Sequence, residues 1–182
     1  MKRFAIITAA GPDRPGIVAG ITRVLYETGC NIEDTSMTLL RGEFAMMLIV
    51  RLPRRLDAGA IEARFKMVRD ALALSLLVKP LSAKEARRDP RPGGRPYILS
   101  VYGSDRPGIV YRVTHLLAAR GINITDMNTR VVGPAGRPIY VMVLEVDIPG
   151  KVRIEGLKAA LRRLKKAVKV DVTLHPVESA QL

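Results

Sequence analysis

The sequence has no tryptophan, three phenylalanines and five tyrosines, so aromatic residues make up only 4% of it. Proteins that hold single-stranded nucleic acid stack bases on aromatic side chains, and a chain this poor in rings offers that mode little support. A single cysteine, Cys30, excludes an intramolecular disulfide and reads as a small core residue. The only histidines, His115 and His175, stand 60 positions apart, and neither H-x-x-x-H nor C-x-x-C occurs. No metal site is expected, and no cofactor is called for. No run approaches the ~20 apolar residues that a bilayer span requires. The apolar run Phe4–Ala10 is short and ends in a turn signal, which reads as a strand and not as the core of a signal peptide. A cytoplasmic protein with no membrane partner is expected. Asparagine and glutamine are scarce as well, at three and one residues, a composition of heat-adapted proteins.

What is abundant is positive charge. Thirty Lys and Arg face 17 Asp and Glu, a net +13. Such a balance raises direct binding of nucleic-acid phosphates as one reading and an acidic protein partner as another.

The chain also repeats itself. Residues 11–38, GPDRPGIVAGITRVLYETGCNIEDTSMT, align without a gap on residues 103–130, GSDRPGIVYRVTHLLAARGINITDMNTR. The offset is 92, and thirteen of the 28 positions are identical by direct count. A fixed-offset repeat of this kind marks a duplicated structural unit. Each copy opens with an apolar strand, Arg3–Ala10 or Pro96–Tyr102, followed by the Gly/Asp/Pro turn. Ile17, Val18, Ile21, Val24 and Leu25 then recur at helical spacing, as do Ile109, Val110, Val113, Leu116 and Leu117. Pro15 and Pro107 suit a first helical turn. Asp13 and Asp105 suit N-caps, and Gly29 and Gly121 suit left-handed helix ends.

Two strands follow. They are Asp34–Leu40 and Glu43–Leu52 around Arg41-Gly42, and in the second copy a longer Gly133–Gly136 loop precedes Arg137–Asp147. A second helix carries Ile61, Phe65, Val68 and Leu72, or Ile154, Leu157, Leu161, Leu164 and Val168, on one face. Lys158, Arg162, Arg163, Lys165 and Lys166 lie largely elsewhere, as a solvated face or a phosphate- or partner-contacting patch. Last strands fall at Ser75–Leu81 and Val168–His175. The order β-α-β-β-α-β, twice, predicts an α+β protein of two ferredoxin-like modules, each a four-stranded antiparallel sheet with two helices on one face. The modules span 1–82 and 96–178. The Pro/Gly- and charge-rich residues 83–95 read as a linker.

DRPGIV, a helix, and then GCNIED or GINITD resemble the ACT domain family in both copies. That resemblance implies pairs of small regulatory modules, many of which bind amino acids or other small metabolites and act without catalysis. It also implies a homodimer and, with no output domain in view, control exerted through a regulatory protein partner. The candidate ligand residues are Gly11, Asp13, Arg14, Gly16 and Asn31 in the first copy. Gly103, Asp105, Arg106, Gly108 and Asn123 are those of the second. A helix N-terminus favours a carboxylate, the glycines allow close approach, and Arg binds carboxylates with two parallel hydrogen bonds. The resemblance places the Asn beside the turn, where its amide donates and accepts, and an Asp pairs with a ligand's ammonium. Each of these residues also has a purely structural reading as cap, turn or strand opener. Gly11-x-x-x-x-Gly16 is no phosphate loop, because Ile17 and Val18 stand where Lys and Ser/Thr are needed. No nucleophile–base pair is suggested by spacing, so no enzyme is expected.

Overall fold

The computed structural model describes residues 3–87, 93–134, 136 and 138–177. It divides into two compact units, 1–88 and 89–182. Unit one contains β1 (Arg3–Pro12), α1 (Ile17–Glu27), β2 (Asn31–Leu40), β3 (Glu43–Leu52), α2 (Ala58–Leu72) and β4 (Ser75–Leu81). Unit two contains β5 (Arg95–Ser104), α3 (Ile109–Ala118), β6 (Asn123–Val132), β7 (Ile139–Ile148), α4 (Ile154–Val168) and β8 (Val170–Pro176). The sheets are ordered β2-β3-β1-β4 and β6-β7-β5-β8, every neighbouring pair antiparallel. This is the split βαβ arrangement that the repeat predicts. Arg137, Ala135, residues 88–92 of the linker and residue 178 lie outside the described residues.

Alternation writes the core. On β3, Phe44, Met46, Leu48, Val50 and Leu52 are buried while the residues between them are not. They meet Ile17, Ile21 and Leu25 of α1 and Ile61 and Phe65 of α2. Unit two repeats this with Met142, Leu144 and Val146 under Ile109, Val113, Leu157 and Leu161. Phe65 is 1% exposed, and truncating such a residue to Ala costs about 3–5 kcal/mol.

The turns follow their sequences. Arg41 and Gly42 have φ 51° and 86°, the two positive values of a type I′ hairpin that twists with its strands. Gly29 and Gly121 are left-handed, as expected of helix-terminating glycines. Cys30 N donates to Leu25 O at 2.9 Å and Ile122 N to Leu117 O at 3.1 Å, closing both helix ends. Cys30 packs half-buried against the first core; burial raises its thiol pKa, partly offset by the Thr28 hydroxyl donating to Sγ.

The helices cover only part of each sheet. All ten residues of β2 are exposed, although Leu39 and Met37 lie opposite buried Phe44 and Met46 in the register. Leu39 is 53% and Met37 50% exposed. The other edge strand, β6, is likewise exposed except at Ile124. Both edges carry a bulge at equivalent places, between Ile32 and Asp34 and between Ile124 and Asp126. The start of the linker is a turn closed by a reciprocal pair: Ser82 N donates to Glu85 Oε2 at 2.8 Å and Glu85 N to Ser82 Oγ at 3.2 Å. No helix among the described residues is long and apolar enough to cross a membrane.

Candidate ligand-binding site

Each first helix begins at a left-handed glycine. Gly16 has φ 98° and Gly108 φ 92°, values that only glycine adopts without strain. The expectation that Asp13 and Asp105 cap these helices is corrected here, because neither helix receives a side-chain cap. The glycine itself occupies the cap position, and Pro15 and Pro107 lie before it. The Asp13 amide instead donates to Gly42 O at 2.8 Å, which pins the turn to the β2–β3 hairpin. The first intrahelical bonds are Gly20 N to Gly16 O at 2.8 Å and Arg112 N to Gly108 O at 3.0 Å. The amides ahead of them are the orphan donors of a helix start, facing outward with partial positive charge. Over them in unit one lies a cavity of about 310 Å³, lined by Asp13, Arg14, Gly16, the first residues of α1, and Met37 and Phe44.

The other expected residues divide by role. Gly11 and Gly103 are close-approach positions. A Cβ on Gly11 would lie 2.9 Å from Ala73 O, and one on Gly103 2.7 Å from Val170 Cγ1. Arg14 donates to Ala71 O at 3.3 Å, so its guanidinium reaches the end of α2. The exposed Asp105 and Arg106 stay beside the second turn.

Asn31 and Asn123 are not beside the turns of their own modules. Pro12 pairs with Glu43, whereas Asn31 pairs with Arg51, eight residues further along β3. That is about 27 Å at the rise of an extended strand. In unit two Ser104 pairs with Ile139 and Asn123 with Asp147, the same separation. β1 and β2 are both antiparallel to β3 and therefore parallel to each other, so β2 starts at the end where β1 starts. Asn31 Nδ2 donates to Glu33 Oε1 at 2.9 Å, and Glu33 Oε1 also meets Arg51 Nε at 2.7 Å. Asn123 lines a different hollow with Tyr111, Thr114 and His115. Met37, which sequence reasoning did not single out, is the β2 residue that reaches the turn cavity; its apolar side chain on an edge strand was the available signal.

Models of the ACT domain match residues 3–79 and again residues 97–168. This chain belongs to the ACT domain family. The tandem ACT protein is 33% identical over 130 residues to the glycine cleavage system transcriptional repressor of Escherichia coli, an alignment covering 71% of this chain and 65% of that protein. The chain thus spans just under two thirds of that relative's length. It is 41% identical over 76 residues to a UPF0237 protein of Methanopyrus kandleri, covering 41% of this chain and 84% of that one. A solved structure of an unknown protein from Galdieria sulphuraria superposes with a TM-score of 0.79 at 29% identity, over 97% of this chain and 99% of that one.

Proposed function

We propose that this tandem ACT protein is a non-catalytic sensor of a small amino-acid-like metabolite that works in the cytoplasm and controls a regulatory partner protein. The observation that carries the reading is the uncapped start of α1, opening on a cavity with an acid on one side and an apolar wall on the other. The ligand carboxylate sits on the free amides of Ile17 to Ala19, its ammonium on Asp13, and its side chain against Met37 and Phe44. Each part answers a charge or surface already present. The same turn in the second module supplies Gly108, Asp105 and Arg106.

Asn31 and Asn123 join the site only across an edge. A second copy of the chain laying its β2 antiparallel on this β2 brings its own start of β2 to the end where the turn lies. Long edge strands with apolar residues exposed on both faces favour such pairing. The homodimer and the ligand site are then one proposal: the ligand closes a seam between edges, and the closed seam changes the grip on the partner. Family membership, and the repressor name of the Escherichia coli relative, support a regulator. Direct binding of nucleic-acid phosphates is not favoured by these likenesses.

The test begins with a thermal-shift screen against the amino acids, since ligands of the native state raise its stability. A hit is then titrated calorimetrically. Asn31→Ala or Asn123→Ala should weaken it roughly ten- to a hundred-fold, and raising the salt concentration should change it little. Light scattering should show a dimer that Met37→Lys with Leu39→Lys reduces to the 20.0 kDa chain. Unchanged affinity in both Asn variants with the fold intact, or a monomer at tens of micromolar, contradicts the reading.

A further inference from the structure

The two modules differ in their helix layers. In unit one, α1 and α2 touch at Gly20, where a Cβ would stand 3.2 Å from Leu72 Cδ1 and 3.4 Å from Val68 Cγ1. Ninety-two residues later, at the same point of α3, the chain carries Arg112. An arginine does not fit a seam that tight. In unit two, α3 and α4 leave between them a groove of about 750 Å³, within the range of small-molecule sites.

Its chemistry is one-sided. Leu116, Leu164 and Val168 form an apolar floor, and Arg112, Arg120 and Arg163 surround it. Arg120 Nη1 donates to Leu116 O at 2.9 Å, which anchors that side chain in place. Tyr111 and His115 stack with centroids 5.5 Å apart and planes at 26°, giving the groove a ring wall. Among the described residues no Asp or Glu lines it. Of the acids on or beside α4, Glu155 is held by Lys158 at 3.2 Å and Asp171 by Lys165 at 2.6 Å. Among the described residues neither Arg112 nor Arg163 makes an ion pair. Ala19, Gly20, Thr28 and Met67 stand in the first module where Tyr111, Arg112, Arg120 and Arg163 stand in the second. The groove is therefore a property of one module and not of the shared fold.

We infer that the α3–α4 groove is a second ligand site, confined to the second module, for a small organic anion with a planar body. The body lies on the apolar floor against Tyr111 and His115. Its phosphate or carboxylate engages Arg112 and Arg163, whose planar guanidinium groups match such oxyanions. It borders the second module's turn at Pro107 and Gly108 and shares Tyr111 and His115 with the hollow of Asn123, but Arg112 and Arg163, which hold the anion, belong to neither.

The experiment uses the full chain, with calorimetric titration of adenosine monophosphate, adenosine and inorganic phosphate, and fluorescence titration of the aromatic sulfonate anilinonaphthalene sulfonate. At least one aromatic anion should saturate below about 1 mM. When adenosine monophosphate does so, adenosine and phosphate alone should each bind at least ten-fold more weakly. Arg112→Ala and Arg163→Ala should each weaken the bound anion roughly ten- to a hundred-fold, with circular dichroism unchanged. Arg162→Ala, on the exposed face of α4, and Arg23→Ala, in the first module, should leave it unaltered. The inference is overturned if neither aromatic anion saturates, if adenosine binds as tightly as its phosphate, or if Arg162→Ala costs as much as Arg163→Ala. It is also overturned if both groove variants bind like the parent. Should a groove variant fail to fold, Arg163→Lys, which keeps charge and stem but loses the planar fork, serves in its place with the same expectations.

Discussion

Gly103→Ala tests whether the glycine at the root of the turn serves the fold or a ligand. The added methyl would lie 2.7 Å from Val170 Cγ1 and 3.1 Å from Val170 Cα. Gly103 and Val170 are register partners on β5 and β8, so neither strand can withdraw without breaking its ladder. Overpacking of this kind costs about 1–3 kcal/mol. The loss of unfolded-state freedom on replacing Gly by Ala returns about 0.4–1 kcal/mol. At the middle of both ranges a net destabilisation of about 1.3 kcal/mol follows, roughly 5–10 °C in the melting temperature of a module this size. Val170→Ala alone removes two methyls from a residue 4% exposed and should cost about 2 kcal/mol. In the double variant the new methyl occupies the vacated space, so its cost should fall short of the sum by about 1 kcal/mol or more. Calorimetry of the four proteins, with hydrogen exchange on β5 and β8, measures every term. A Gly103→Ala melting temperature within 1 °C of the parent, or strictly additive costs, would refute the steric account and return Gly103 to the ligand.

Gly16→Ala and Gly108→Ala meet no atom within 4 Å but must hold φ 98° and 92°, so each should cost about 1–3 kcal/mol of backbone strain in chemical denaturation. Asp57 caps α2 by accepting from Ala60 N at 2.8 Å; Asp57→Ala should cost about 0.5–2 kcal/mol. Arg153→Asp, at the uncapped start of α4, should gain a similar amount, and a loss there would contradict the capping argument. The Glu85 carboxyl titrates below its usual range because Ser82 hydrogen-bonds its charged form. The Ser82–Glu85 turn is therefore intact above the unfolded carboxylate range and loosens as pH falls through the lowered value, and the Ser82 amide proton in NMR should titrate there and not higher. Burial disfavours the Cys30 thiolate, so alkylation at mildly alkaline pH should be slower than for an unfolded peptide and should speed up in denaturant.

Much of the fold was legible because the chain states it twice. Helical spacing at Ile17–Leu25 and Ile109–Leu117, and alternation over Glu43–Leu52, each follow from burying one face. The candidate site was legible in its turns but not in its assembly. Asp13 and Asp105 have the chemistry of caps, yet the left-handed glycines take that position, a backbone preference that composition alone does not rank. Asn31 is eighteen residues from Asp13 in sequence and a sheet's length away in space. The crossover through α1 returns the chain to the starting end of the sheet, as a connection between parallel strands must. Motif text records neighbours along the chain, and only the register shows which end each neighbour occupies. The α3–α4 groove left still less trace, since it depends on one arginine replacing a glycine at a helix contact.

The paired bulges in β2 and β6 bear on how this protein behaves at high concentration. An exposed edge ten residues long is the kind of template on which chains stack into fibres. Such stacking needs a flat strand that repeats without interruption. A bulge after Ile32, and another after Ile124, breaks that repeat and coils the edge away from flatness. Chains that meet here can close a finite pair whose twist matches, but they cannot extend it indefinitely. Removing the extra residue, Glu33 in one edge or Thr125 in the other, would straighten the strand and should raise fibril formation above that of the parent chain.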